Sequence, residues 1–325
     1  MTLFNTAEGY MKRLILISAA VLLVFVPARL TAKGPGTTGA QFLKIDGSAR
    51  PIAMGGAYSA VKPDAGSIFY NPALAVSAPQ RTVSGSYLSY FQSVNYGSLG
   101  GVVPFGEGSV GVGVSYLGVS DIPRRGVDDI DDPEGTSDPE GNFGASDIMI
   151  AGSKAWRDPF PSLLENLDLG VSLKLVYLTL DDKSAFSAMA DLGAYYPVSD
   201  ILSVGMSVQN IGMPVKFDRE SDPLPLGIRS GAAYKAYEGL TVALDLNHYI
   251  LEGVTYASLG SEYWISEAFA LRAGYKYGYE SDVLGAQAGL GAGIGFNTDT
   301  MGLDYAFAPM GELGNTHRVT LSAGF

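Results

Sequence analysis

Apolar and polar residues alternate along most of the chain beyond Arg81. Leu169, Val171, Leu173, Leu175 and Tyr177 alternate with Gly170, Ser172 and Lys174. Leu240, Val242, Leu244 and Leu246 alternate with Thr241, Ala243, Asp245 and Asn247. The same rhythm runs through Phe269–Gly278 and Met301–Phe307. Successive strand side chains point to opposite faces, so each stretch has one apolar face and one polar or very small face. Fourteen such segments are predicted, at 81–91, 94–105, 108–119, 146–157, 166–181, 184–197, 201–212, 224–235, 240–251, 254–265, 269–280, 285–297, 300–309 and 315–325.

Composition says where the apolar faces go. Hydrophobic residues make up 47% of the chain and charged residues only 17%, yet beyond the N-terminal region no apolar run is long enough for a spanning helix. A greasy chain of that kind meets lipid through every second residue of its strands. The 42 glycines argue against a helical fold and suit strands whose inner face must leave room for something else. A soluble two-sheet sandwich is the alternative. Against it stand the aromatics Tyr87, Tyr90, Tyr195, Tyr196, Tyr263, Trp264 and Tyr275–Tyr279, which fall towards strand ends, where the girdles of a membrane barrel belong. The expected fold is therefore all-β, a 14-stranded antiparallel transmembrane barrel. With the N-terminus on the periplasmic side, the tight turns at 105–108, 197–200 and 297–300 lie there, and the long connections at 120–145 and 213–223 lie outside. The connection at 158–165 is expected to hold a short helix.

The two ends carry export and assembly signals. Met11-Lys12-Arg13, the apolar run Leu14–Val26, Pro27 and Ala32 form a secretory signal over 11–32, with residues 1–10 upstream of the true start; an uncleaved membrane anchor is the alternative. In the last segment His317, Val319, Leu321, Ala323 and Phe325 share one face. Val319, Leu321, Ala323 and Phe325 resemble the terminal signal read by the barrel assembly machinery. Localisation in the outer membrane of a diderm bacterium follows.

Residues 33–80 do not alternate and are rich in small side chains, which allows close packing in a confined space. Asp64 is placed to cap a short helix, and Asn71 before Pro72 should turn the chain. The spacing Met54-Gly55-Gly56-Ala57, Asp64 and Asn71-Pro72-Ala73 closely resembles the N-terminal hatch of FadL-type barrels, fourteen-stranded outer-membrane transporters for hydrophobic compounds. From Gly36 through Ala75 it looks most like the PorV/PorQ branch, which includes an outer-membrane component of type IX secretion. The resemblance implies that 33–80 is a hatch plugging the lumen of the barrel at 81–325. Gly55, Gly56, Asp64, Asn71, Pro72 and Ala73 are its motif residues, and a structural role for the Asn-Pro-Ala turn is preferred to ligand contact.

Parity assigns Lys174, Val176, Leu178, Asp245, Arg272, Lys276, Asp304 and Arg318 to the lumen. Their mixed charges suggest internal ion pairs; Val176 and Leu178 suggest an apolar pocket. Gly111 and Gly113, and Gly289, Gly291, Gly293 and Gly295, are expected on the inner wall. The acidic stretch 121–147, which holds Asp121, Asp128, Asp129, Asp131, Asp132, Glu134, Asp138, Glu140 and Asp147, reads as a solvated loop in preference to a Ca²⁺ site, because its glycine spacing is not that of an EF-hand. His248 and His317 fall on lipid-facing parity and, without cysteine, make no metal site. No cofactor and no enzymatic constellation is expected, and the net charge of −12 argues against nucleic acid. Two functions lead: passive uptake of hydrophobic small molecules such as fatty-acid-like compounds, or a PorV-like role in type IX secretion or surface attachment that binds exported protein cargo; a purely structural barrel is the third. Besides the assembly machinery, the expected partners are outer-membrane lipid and a hydrophobic ligand or that cargo.

Overall fold

The computed structural model describes residues 34–61, 65–78, 80–90, 94–125, 139–279 and 284–325. The strands are β1 (Thr82–Ser89), β2 (Asn95–Pro104), β3 (Gly108–Arg124), β4 (Gly141–Trp156), β5 (Asp168–Leu180), β6 (Lys183–Pro197), β7 (Leu202–Gly212), β8 (Gly227–Tyr237), β9 (Leu240–Tyr249), β10 (Val254–Trp264), β11 (Phe269–Tyr277), β12 (Leu290–Asn297), β13 (Met301–Pro309) and β14 (Asn315–Gly324). Each pairs antiparallel with its sequence neighbours, and β1 closes on β14 with Thr82 opposite Gly324 and Ser89 opposite His317. Closure leaves no unpaired strand edge, the condition for a sheet to cross lipid.

The alternation read from the sequence becomes the two faces of the wall. Leu99 and Leu173, 64% and 68% exposed, point outward with Val112, Ile150, Leu244, Leu259 and Leu321. Inward neighbours such as Val176 and Ser187 are fully covered. A barrel with so apolar an outer surface is stable only in lipid. Tyr87, Tyr263 and Tyr277 are exposed on that surface. Tyr90, Tyr195, Trp264 and Tyr279 do not join such a girdle: they line interior cavities.

Several boundaries differ from the sequence reading for local reasons. β3 and β4 run further than 108–119 and 146–157, because a bulge at Asp121 (φ 60°) shifts the register and pairing resumes at Ile122–Phe143. The extension is clamped by an Arg124–Asp181 ion pair and by Arg124 over the Phe143 ring. Asp121 and Asp147 thus belong to strands and Glu140 abuts β4, so the acidic loop is shorter than 121–147; Asp128, Asp129, Asp131, Asp132, Glu134 and Asp138 lie outside the described residues. β8 starts at Gly227 and not at 224, since Pro223 and Pro225 have no N–H to donate. β12 starts at Leu290 and not at 285, after a turn ending at Gly289 with φ 102°; Gly289 therefore belongs to the turn and not to a strand wall. The connection at 158–165 holds turns in place of a helix, closed by the Leu163 and Leu164 amides on the Phe160 carbonyl. The connection at 213–226 is not simply an outer loop. It folds back through a Val215–Asp222 bridge, buries Val215 and Leu224, and takes the Gly39 amide on the Pro223 carbonyl.

Inside the barrel run residues 34–61 and 65–78. A five-residue helix α1 (Ala49–Ala53) and short 3-10 helices at Gln41–Lys44, Ala65–Phe69 and Pro72–Ser77 are joined by small residues. Asn71 caps the last, its Oδ1 accepting from the Ala73 amide at 3.1 Å with Pro72 in the first helical position. Helix α1 lies against β11–β14 and the Pro72–Ser77 helix against β3–β6, so the segment crosses the lumen. The proposed signal at 11–32, and Asp64, lie outside the described residues.

Candidate functional site

The hatch segment fits because the wall opposite it has no side chains. A Cβ at Gly205 would collide with the Ser59 carbonyl, and one at Gly291 with the Ile52 carbonyl. Gly55 and Gly56 adopt φ 62° and 86°, and a Cβ on Gly55 would strike the Tyr275 backbone. Gly170 and Gly193 make the same space for Pro72 and Asn71. Gly111, Gly113 and Gly293 likewise face Ile68, Phe69 and Ala53 of the hatch.

Polar ties then fix the hatch to the wall. Arg50 on α1 donates to Glu262 of β10 at 2.6 and 2.7 Å, and Arg272 joins Glu262 at 2.7 Å and Asp304 at 2.6 Å. Asp245 Oδ2 accepts from the Tyr58 amide (3.0 Å) and from the Ser59 amide and hydroxyl (2.9 and 2.5 Å). Asn71 Nδ2 donates to the carbonyls of Ala194 and Ser59 at 3.0 and 3.2 Å. Ser207 and Gln209 both donate to the Tyr70 carbonyl at 2.9 Å. On the β9–β10 connection Glu252 accepts from Lys44 and from Thr38 Oγ1, each at 2.5 Å, and from Gln41 at 3.1 Å. Burial raises the Glu252 pKa, but the bonds from Lys44, Thr38 and Gln41 and the Lys44 charge outweigh it and hold the carboxyl below its ordinary range. Charged groups taken out of water are stable only when paired in this way.

One interior region is apolar. Met149, Ala151, Val176, Leu178, Ala185 and Met189 of β4–β6 gather with Leu88, Tyr96 and Val215, and Phe42, Leu43 and Ile45 of the hatch pack into them. Two cavities flank the crossing segment. One of about 350 Å³ is lined by Lys44, Ile45, Asp46, Tyr90, Lys276 and Tyr279. A larger one of about 660 Å³, towards the end that holds the 197–200 turn, is lined by Arg50, Tyr195, Lys235, Glu262 and Trp264.

All eight residues assigned to the lumen by parity point inward. Arg272, Asp304, Asp245, Val176 and Leu178 join the arrangements just described. Lys174 is buried against Asp191 at 2.7 Å and Asn210 at 2.5 Å, where a second register shift turns Asn210 into the left-handed region. Lys276 and Arg318 sit with Asp46 and a set of tyrosines. Arg50, Asp46, Arg229, Glu252 and Glu262 escaped the sequence reading. Glu262 shares inward parity with Ser258 and Gly260, and Arg229 with Gly227 and Gly231, and both were legible on that ground; the others lie outside the strands. Val319, Leu321 and Phe325 are exposed on the outer face beside Ala323, and the Phe325 amide donates to the Arg81 carbonyl at the barrel seam (2.9 Å). His248 and His317 also face outward, bonded through Nδ1 to Thr255 and Tyr305. Among the described residues no group of three His, Cys, Asp or Glu side chains is arranged to hold a metal.

Solved structures with this architecture are numerous. The toluene transporter TbuX of Ralstonia pickettii superposes with a TM-score of 0.60, covering 87% of this chain and 99% of its own at 14% identity. The toluene transporter TodX of Pseudomonas putida gives 0.59, with 86% and 97% covered at 14% identity. A FadL homologue of Pseudomonas aeruginosa gives 0.54, with 86% and 98% covered at 11% identity. The chain shares its fold with these channels. At such identities the likeness concerns the fold alone, and none of the three is a PorV/PorQ protein. No family model matches the sequence, and no curated protein matches it.

Proposed function

We propose that this chain is an outer-membrane channel for passive uptake of hydrophobic small molecules, fatty-acid-like compounds among them. The observation that carries the proposal is the apolar compartment inside the barrel. A lumen meant only to be filled could be polar throughout, as most of this one is. Here β4–β6 instead turn Met149, Val176, Leu178 and Met189 inward, two of them adaptable thioethers, and the hatch covers them with Phe42, Leu43 and Ile45. A ligand that replaced those hatch side chains would keep the same surface dry. The flanking cavities then supply the vestibules before and after the hatch. The neighbours' transport of toluene and monoaromatic hydrocarbons fits a compartment of this chemistry.

The test is uptake of a labelled hydrophobic compound by a bacterium lacking channels of its own for it. The wild-type chain should speed uptake, and Leu178→Glu, which puts a charge into the compartment, should lower the rate at least tenfold at equal surface abundance. Unchanged uptake by Leu178→Glu would remove the compartment from the pathway. Purification from native membranes with a recurrent exported protein and no small molecule would favour a PorV-like carrier instead.

A further inference from the structure

The inner-wall glycines make room for the hatch, but Gly101 of β2 and Gly152 of β4 serve no such contact. Both lie on the lipid face: Gly101 pairs with Val83 and Val112, and Gly152 with Val112 and Leu173, all of them exposed. A Cβ on Gly101 would meet Val83 and Val112 at 3.7 and 3.8 Å, ordinary van der Waals contact, and one on Gly152 would meet nothing within 4 Å. Neither residue takes a positive φ. Backbone and internal packing therefore do not call for glycine here. Glycine weakens a strand and often marks a place where something outside it comes close. Over Gly101 lies an apolar groove of about 190 Å³, walled by Val83, Val103, Val110, Val112 and Phe325.

Two cations flank this groove. Arg81 lines it on the β1 side. Lys154 stands on the other side, opposite Val110 and on the lipid-facing parity of Ile150 and Trp156. It reaches across β3 towards the groove and donates to the Phe105 carbonyl at 3.1 Å. Its ammonium lies 4.9 Å from the Phe105 ring centroid and 5.9 Å from that of Trp156. Among the described residues neither cation is paired with a carboxylate, although Glu107 stands on the β2–β3 turn and the C-terminal residue is bonded to Arg81 through its amide. Exposed Phe105 and Trp156 mark the level of the lipid head groups, where long basic side chains end.

We propose that this outer face binds one glycerophospholipid, its phosphate held by Lys154 and Arg81 and one acyl chain lying in the groove over Gly101. The inference needs the barrel to sit in a membrane and is independent of what passes through its lumen. Register sets Thr82 opposite Val102 and Val110 opposite Lys154, so Arg81, Val103, Val110 and Lys154 form one row. The two cations are three strand spacings apart, roughly 14 Å, a span that two long side chains close from either side. Lys154 gives one N–H to Phe105 and keeps two for phosphate oxygens, and Arg81 offers a forked pair. An acyl chain gains little by leaving other lipid for an apolar wall. Selection therefore comes from the phosphate, and the groove supplies the fit. A second barrel could fill the groove with its own apolar side chains but would leave both cations unmet. A chain seated here packs on Phe325 and covers the seam where β14 closes on β1.

The test is native mass spectrometry of the full chain in nonionic detergent, with dioleoyl phosphatidylglycerol or dioleoylglycerol added at equal concentration. One phosphatidylglycerol per chain should be retained, at least tenfold more than dioleoylglycerol, which has the same tails and no phosphate. Lys154→Gln and Gly101→Leu, which fills the groove, should each lower that retention at least fivefold. Leu244→Phe, on the lipid face of β9 across the barrel, should leave it unchanged. Lys154→Gln alters one side chain near a strand end and keeps the test valid should Gly101→Leu fail to assemble. Equal retention of the two lipids, no effect of Lys154→Gln, or an equal loss with Leu244→Phe overturns the site and leaves only general contact with lipid. A dimer without bound phospholipid that Gly101→Leu splits also overturns it, and makes the groove a contact between copies of the chain.

Discussion

At Gly205 the β7 backbone lies directly against the Ser59 carbonyl, and a side chain there would have to push the hatch away or distort the strand. The strand is paired on both sides with β6 and β8, whereas the hatch is held by scattered hydrogen bonds and packing with no strand ladder, so the hatch should yield. Gly205→Val is expected to leave the barrel assembled and to raise amide exchange in residues 49–61. Overpacking of this kind costs about 1–3 kcal/mol, enough to populate an unseated hatch. Unaltered exchange in that segment would show that the close approach is not what seats it. The glycines of the inner wall were legible as a face without side chains, because alternation shows which face a residue occupies. Which hatch atom each glycine receives was not, because that depends on contacts more than a hundred positions apart in sequence, as between Gly205 and Ser59.

The element that ties the start of the described hatch to the end of the barrel away from Phe325 is the β9–β10 connection, through Glu252. Its carboxyl binds Thr38, Gln41 and Lys44 together, and its pKa in the folded protein is lowered. A lowered carboxylate contributes stability that is present above its unfolded value of about 4.3 and is lost as pH falls through the folded value. Acidification through that folded value should therefore free residues 38–45 while the strands stay protected. The check is amide exchange with Glu252→Gln as reference. That variant should show at pH 6 the loose segment that the wild type shows only in acid, and full protection of 38–45 in the variant at pH 6 would sink the idea. Elements of this sort mark the limit of sequence reading. Fourteen strands follow from a period of two that every residue reports, so their number and inward faces were readable. The bulge at Asp121, the start of β8 after Pro225 and the inward fold of Val215 depend on where pairing resumes or on what a loop meets in the lumen. The ion pairs Arg50–Glu262 and Lys44–Glu252 join residues with no pattern between them.

For the whole molecule the issue is whether the hatch must leave its seat for a ligand to pass. Helix α1 buries Ala49 and Ala53 against Ala306 of β13, and the Pro72–Ser77 helix rests on the other side of the barrel, so the lumen is spanned. The ties holding it are of two kinds. Buried charge pairs such as Arg50–Glu262 are costly to break, at about 3–5 kcal/mol when one partner is lost. The contacts of Asp46 at 3.9 Å are loose. A path past the hatch therefore opens more easily where Asp46 sits than where Arg50 sits, and part of the hatch can move while the rest stays anchored. The chain has no cysteine, so an engineered pair is free of competing thiols. Joining Ala53→Cys to Ala306→Cys pins the Arg50 end. If only the Asp46 end moves, oxidation should leave uptake within about twofold of the reduced form, since a factor of two corresponds to a change of well under 1 kcal/mol in the barrier. Joining the strands to residues beside Asp46, for instance Gly47→Cys with Ser98→Cys, whose carbonyl and hydroxyl are hydrogen-bonded in the closed state, should stop uptake until reductant is added. Full uptake with both pairs oxidised would mean that the compound passes without moving the hatch, and arrest by the Ala53–Ala306 pair would mean that the hatch leaves as one piece.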